Sequence, residues 1–147
     1  CATEARGGET RCDVIISDSE IYYPECTKYD ILLCLTQTAY EKYSGNVKPE
    51  GTIIIDSEIE AFGDAPVITA PFIASARDKL GAVIVANIIA LGFISEFTGI
   101  VIKKSIRDAV IKRFEGTKHI DLNKDALELG IKLAKEAKKN IEKKKKN

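Results

Sequence analysis

The chain has 147 residues, 22 Lys and Arg against 22 Asp and Glu, and 45% hydrophobic residues, the size and make-up of one domain around a single core. Net charge is zero, which argues against a general nucleic-acid binder. The longest apolar run, residues 82–94, is broken by Asn87 and Gly92 and followed by Glu96, so it predicts a buried helix and no membrane span.

The stretch Glu4-Ala5-Arg6-Gly7-Gly8-Glu9-Thr10-Arg11 has no aliphatic side chain larger than Ala5 and predicts a loop. Gly7-Gly8 lets the backbone approach another group closely. Arg6 and Arg11 can fork onto carboxylate or phosphate oxygens, or pair locally with Glu4 and Glu9. Cys12–Ser17 is a β-branched run that predicts a strand, and Ile21–Tyr23 a short extended piece stopped by Pro24. The two together are compatible with a hairpin.

Residues 30–35 are Asp30 followed by five apolar residues in a row, the pattern of a strand covered on both faces. Thr36 and Thr38 are candidate N-caps for a helix through Tyr43, closed by Ser44-Gly45. Pro49-Glu50-Gly51 predicts a turn, and residues 52–56 a second buried strand, giving a parallel strand–helix–strand crossover. Residues 57–65 read as a polar loop. The segment from Pro66 to Pro71 is bracketed by prolines and predicts a short edge strand.

Helical spacing follows over 72–80 (Phe72, Ile73, Ala76, Leu80), 83–97, and 102–114 (Ile102, Ile106, Ala109, Val110, Phe114). Thr98-Gly99 and Gly116 are the expected stops. Asn87 is predicted to be a buried amide that ties its helix to a neighbouring backbone, the alternative being a role at a subunit interface. Asn123 or Asp121 is the expected cap of a last helix with a stripe of Leu127, Ile131, Ala134 and Ile141. Residues 131–147 hold eight Lys and two Glu, a balance of +6 that leaves −6 on residues 1–130. Residues 136–147 are read as a lysine-rich helix end or tail: Lys143 to Lys146 either contact a nucleic acid or acidic surface or are solvated cations suited to a helix C-terminus, and with no basic face interleaved with aromatics beside them the second reading is taken. The fold class expected is α/β, a doubly wound, mostly parallel sheet with a helical C-terminal half.

No catalytic constellation and no metal site are read from the residues. His119 stands alone in a polar segment, and neither a nucleophile elbow nor a Walker loop occurs. The four cysteines, Cys1, Cys12, Cys26 and Cys34, include no Cys-x-x-Cys pair, against a zinc or iron–sulfur site in this chain. Cys12 and Cys34 fall in predicted strands as free thiols, and free thiols fit a reducing, cytoplasmic setting. No secretory signal is read at residues 1–4. A doubly wound sheet binds ligands beyond the carboxyl ends of its strands. Two such ends qualify, Ser17-Asp18 and Leu35-Thr36-Gln37-Thr38. At the second, the threonines either cap the helix or receive an anion.

Glu4-Ala5-Arg6-Gly7-Gly8, the strand ending at Asp18, and Ile21-Tyr22-Tyr23-Pro24 are similar to the gamma subunit of 2-oxoacid:ferredoxin oxidoreductases, nearest the 2-oxoglutarate branch. The resemblance runs on through Tyr29–Leu33, Leu35-Thr36-Gln37-Thr38-Ala39-Tyr40, residues 48–56 and Ala86-Asn87 to Leu91-Gly92, most of the chain. Family members begin with a strand and a glycine-rich loop, and this sequence starts after them, so residues 1–147 are expected to be one N-terminally incomplete gamma-type domain. The resemblance implies an accessory subunit, inactive alone, of an enzyme that oxidatively decarboxylates a 2-oxoacid to its acyl-CoA and reduces ferredoxin. It implies no cofactor in this chain; thiamine diphosphate, Mg, iron–sulfur clusters and coenzyme A belong to the complex. It implies alpha, beta and ferredoxin-like delta subunits as partners, ferredoxin through the complex, and self-association of the isolated chain through an unpaired sheet edge. Glu4, Arg6, Gly7, Gly8, Thr36 and Gln37 are the implied cofactor-binding or subunit-interface residues. The alternatives are a stand-alone nucleotide-binding or regulatory α/β module, or a scaffold that binds no ligand.

Overall fold

The computed structural model describes residues 27–101 and 103–146, together with Val14 and Glu20. Its elements run β1 (Tyr29–Cys34), α1 (Gln37–Tyr43), β2 (Val47–Asp56), β3 (Val67–Ala70), α2 (Phe72–Leu80), α3 (Ala86–Thr98), α4 (Lys103–Phe114) and α5 (Ile120–Lys146). Of the predicted strand Cys12–Ser17 only Val14 is described; it is exposed and in no regular element. The rest of that strand, the extended piece Ile21–Tyr23 and the Glu4–Arg11 loop lie outside the described residues.

The three described strands lie in the order β1-β2-β3, and both pairings are parallel. Alternation sorts their side chains onto two faces. Leu32, Cys34, Ile53, Ile55 and Val67 point to one side, where Tyr40 of α1 and Ile59 complete a small core. Ile31, Leu33, Ile54, Ile68 and Ala70 point to the other, under Phe72, Ala76, Ile89, Ala90, Phe93, Ala126 and Ala134. Helices therefore cover both faces. The doubly wound α/β expectation holds, with β3 at the edge of the described sheet.

The α3–α5 contact dominates the helical half. Gly92 lies against the Leu127 carbonyl, and Gly130 against the Ile89 carbonyl and the Phe93 amide, so close that a Cβ at either would collide with backbone. Ile106, Val110, Leu127 and Ile131 extend this core under α4. Phe93 joins Phe72 edge-on at 5.2 Å and Phe97 face to face at 5.5 Å. Glu96 on α3 binds Lys103 Nζ at 2.6 Å, and Lys138 of α5 donates to the Glu96 carbonyl at 2.6 Å. The Lys103 ammonium, ahead of the opposing effect of burial, lowers the Glu96 pKa.

Several expectations need correction. Pro49-Glu50-Gly51 lies inside β2: residue pairs Tyr29↔Val47 and Ile31↔Thr52 show that β2 spends five residues where β1 spends two, so the expected turn is a bulge in a continuing strand. The cap of α1 is Thr36, whose Oγ1 accepts from Ala39 N at 3.3 Å, while Thr38 is exposed. Ser44-Gly45 continues into a 3-10 turn rather than a left-handed stop. Residues 83–85 are likewise 3-10, and the helix proper starts at Ala86. Asn87 is exposed, its Oδ1 accepting from Ile88 N, so it is not a buried tie. Ala109 faces solvent. Neither Asp121 nor Asn123 caps α5, which begins at Ile120; Asn123 is buried one turn in, donating Nδ2 to the His119 carbonyl at 2.8 Å. The lysine-rich end stays helical to Lys146. Gly99 and Gly116 end their helices at positive φ, as expected.

Candidate functional site

Parallel strands bring their carboxyl ends to one edge, and three connections meet there. β1 delivers Thr36 and Gln37. Gln37 is not free to bind a ligand. Its Oε1 accepts from Glu60 N at 2.9 Å, and its Nε2 donates to the Glu60 carbonyl at 3.2 Å and to Glu41 Oε1 at 3.1 Å. The amide copies one rung of a β-ladder and fastens α1 to the loop after β2.

β2 ends on Asp56, which is fully buried. A buried carboxylate requires donors, and backbone amides supply them. Oδ1 accepts from Glu58 N at 2.9 Å, and Oδ2 from Ile73 N at 2.8 Å. Asp56 thus serves the first turn of α2, whose own N-cap, Pro71, makes no side-chain cap bond. Ser57 N donates to the Ala70 carbonyl, so the exit from β2 is locked to β3.

The connection from Ser57 to Pro66 then crosses back without a helix. Ile59 drops into the α1-side core, 8% exposed. Tyr40, buried, donates its hydroxyl to the Phe62 carbonyl at 3.2 Å, and its ring meets Phe62 at 4.8 Å between centroids. Residues 56–64 carry Asp56, Glu58, Glu60 and Asp64 and no Lys or Arg. Arg77 of α2 reaches Glu58 at 3.4 Å but is committed also to Asp78 at 2.9 Å, and those carboxylates raise its pKa further.

Of the sequence-derived site residues, the structure brings Thr36 and Gln37 to this edge and engages both in internal bonds. Glu4, Arg6, Gly7 and Gly8 lie outside the described residues. Sequence reasoning missed Asp56, Tyr40 and the Gln37 clamp; an acidic residue closing an apolar strand run was the available signal for Asp56. His119 is exposed in the α4–α5 connection. Among the described residues no group of three His, Cys, Asp or Glu is placed to hold a metal, and no helix is long and apolar enough to cross a membrane. Cys34 is a buried free thiol whose pKa burial pushes up to about 11. A shallow groove of about 230 Å³ lies between α4 and α5, lined by Arg107, Val110, Ile111, Lys124, Leu127 and Glu128. Its Arg107 is held in a fork by Glu128, at 2.5 and 2.9 Å.

Comparison with known proteins places these features in a lineage. The sequence pattern of the family described as pyruvate ferredoxin/flavodoxin oxidoreductase matches residues 2–133. The 2-oxoglutarate synthase subunit KorC of Methanocaldococcus jannaschii is 36% identical over 139 residues, which cover 90% of this chain and 73% of that protein. KorC of Methanothermobacter marburgensis is 37% identical over 116 residues, 73% of this chain and 62% of that protein. Among solved structures, the gamma subunit of the keto/oxoacid ferredoxin oxidoreductase of Geobacter sulfurreducens matches with a TM-score of 0.72 and 34% identity, covering 82% of this chain and 68% of that one.

Proposed function

We propose that this chain, which belongs to the pyruvate ferredoxin/flavodoxin oxidoreductase family, is the gamma subunit of a 2-oxoacid:ferredoxin oxidoreductase of the 2-oxoglutarate type. The enzyme decarboxylates the 2-oxoacid, passes the acyl group to coenzyme A and reduces ferredoxin. The observation that carries the reading is a likeness to 2-oxoglutarate synthase subunits, sustained over nine-tenths of the chain for that of Methanocaldococcus jannaschii.

Within such an enzyme the chain is an accessory subunit. Thiamine diphosphate, Mg and iron–sulfur clusters sit in the alpha, beta and ferredoxin-like delta subunits, where they supply carbanion and electron-transfer chemistry. The described strand-end edge does not fit the phosphates of coenzyme A. Thr36 and Gln37 are bonded internally, and the neighbouring loop holds three carboxylates, Glu58, Glu60 and Asp64, and no Lys or Arg of its own. Thr36 and Gln37 therefore act here as part of a subunit-interface surface. Arg6-Gly7-Gly8 with Glu4 is the segment we assign to contact with coenzyme A or the active-site subunits, because a guanidinium fork suits either anion.

The test is reconstitution. Co-expression with the neighbouring oxidoreductase genes should yield one complex carrying this chain, iron and thiamine diphosphate. Its viologen reduction should require 2-oxoglutarate and coenzyme A, and should fall when this chain is omitted. A complex that forms and turns over equally well without the chain overturns the proposal, as does preference for pyruvate for the 2-oxoglutarate assignment.

A further inference from the structure

We infer that the loop from Ser57 to Pro66 is a preformed docking element that seats Phe62 in an apolar notch of a basic surface on another subunit of the enzyme. The inference rests on the reading above and goes beyond it in naming the residue and the partner's chemistry.

Four observations converge. First, neighbouring parallel strands are ordinarily joined through a helix, yet β2 and β3 are joined by ten residues, 57–66, without one. Second, the loop is fastened along its length: Asp56 to Glu58 N, Ile59 in the core, Gln37 on both backbone groups of Glu60, and Tyr40 on the Phe62 carbonyl. Third, at the end of this series Phe62 is 52% exposed, one side of its ring resting on Tyr40 and the remainder open to solvent. An aromatic side chain on an anchored backbone has little conformational freedom left to lose, the condition under which aromatics become interface anchors. Fourth, Glu58, Glu60 and Asp64 flank it in sequence, all exposed, with no Lys or Arg between Asp56 and Asp64; Glu58 is engaged by Arg77 of α2 at 3.4 Å, which leaves Glu60 and Asp64 on either side of Phe62 as the acidic pair. The complementary partner is an apolar notch rimmed by Lys or Arg. The competing exposed apolar side chains of the α2–α3 connection and α3 are Val83, Ile84 and Leu91, at 48%, 79% and 38% exposure, and the segment 82–94 that carries them has no charged residue to select a partner.

The experiment uses the full natural chain and, as probe, the remaining subunits of the same enzyme purified from cells lacking this chain. Affinity is measured at low and high salt for wild type, Phe62→Ala, Phe62→Leu, Asp64→Lys and Ile84→Ser, with thermal melts to confirm folding. Phe62→Ala should weaken binding about 10- to 100-fold, and Phe62→Leu should retain more affinity than Ala. Asp64→Lys should weaken binding and flatten its salt dependence. Equal affinity of Phe62→Ala and wild type overturns the inference, and so does loss of binding in Ile84→Ser alone. Tighter binding by Asp64→Lys overturns the assigned charge of the partner. If wild type binds none of these subunits, the gamma-subunit reading falls and the inference with it; if it binds and Phe62 is silent, only the inference falls.

Discussion

Gly130→Ala separates two physical effects by sign. Gly130 lies inside α5, and alanine in a helix interior is worth about 1 kcal/mol over glycine. If α5 were merely an exposed helix, the substitution would raise stability by that amount. The added methyl group, however, would fall on the Ile89 carbonyl and crowd the Phe93 amide of α3. Both are backbone, so no rotamer change relieves the clash, and the helices must part along a contact that buries Ile89, Phe93, Leu127 and Ile131. Overpacking of this kind costs about 1–3 kcal/mol, and a backbone-to-backbone collision belongs at the upper end. Subtracting the propensity gain leaves a net loss of about 1–2 kcal/mol, or about 3–8 °C in Tm for a domain of this size. Urea and thermal unfolding followed by circular dichroism measure it, with Gly45→Ala, where an added Cβ meets nothing within 4 Å, as the control for crowding. A rise in Tm for Gly130→Ala would refute the close α3–α5 packing.

Glu96→Gln should destabilise the chain at neutral pH. The folded Glu96 pKa lies below its ordinary 4.5, so its contribution is present above that value and is lost as pH falls through the folded pKa; the gap between variant and wild type in urea midpoints should close in acid and stay constant from pH 6 to 8. Asp56→Asn replaces one acceptor oxygen with an NH2 donor that faces a backbone N–H, at about 1–3 kcal/mol by urea unfolding, and Asp56→Ala, which orphans both amides, should cost more. Cys34 should resist iodoacetamide in the folded chain at pH 8 and react once urea unfolds it, read by peptide mass spectrometry; labelling at equal rates in both states would contradict its burial.

What the sequence disclosed follows from how local the signals are. The runs in β1 and β2 are apolar on both faces, so they announced a covered parallel sheet before any partner helix was known. Glycine stops and amphipathic stripes placed α2, α4 and the core stripe of α5. Features that depend on non-local partners stayed hidden. Pro49-Glu50-Gly51 has the composition of a turn, and only the register against β1 makes it a bulge. Gly92 shows in the sequence only as a break in an apolar run and Gly130 carries no local signal; the close approach of each to the other helix's backbone appears only once α3 and α5 are packed. The site divided the same way. Thr36 was legible as a cap from its place before Gln37-Thr38. Asp56 looked like the end of a strand, because nothing local reveals that its carboxylate reaches forward to Ile73.

The strand-end edge gives a physical reason for the proposal that it faces a protein rather than a small anion. An open edge offers helix N-termini and free side chains to a phosphate. Here Thr36 Oγ1 is given to Ala39, the Gln37 amide to Glu60, and the Asp56 carboxylate to Glu58 and Ile73. What remains exposed is acidic. A phosphate charge about 10 Å from a carboxylate meets about 0.4–1.7 kcal/mol of repulsion per pair at effective dielectrics of 80 to 20. Glu60 and Asp64 can therefore offset a charge-assisted hydrogen bond, while Glu58 is engaged by Arg77. The same charges favour a cationic protein rim, which brings its own apolar area to bury Phe62. The bonds that engage the polar groups of this edge also fasten the loop that carries Phe62, so under the docking proposal loosening them should weaken assembly without touching the contact itself. Gln37→Ala tests that link. It removes the clamp on Glu60 while leaving Phe62 and every loop carboxylate in place. It should slow association with the other subunits and raise hydrogen exchange at residues 58–62. Unchanged exchange and association would mean that the loop holds its shape without the clamp.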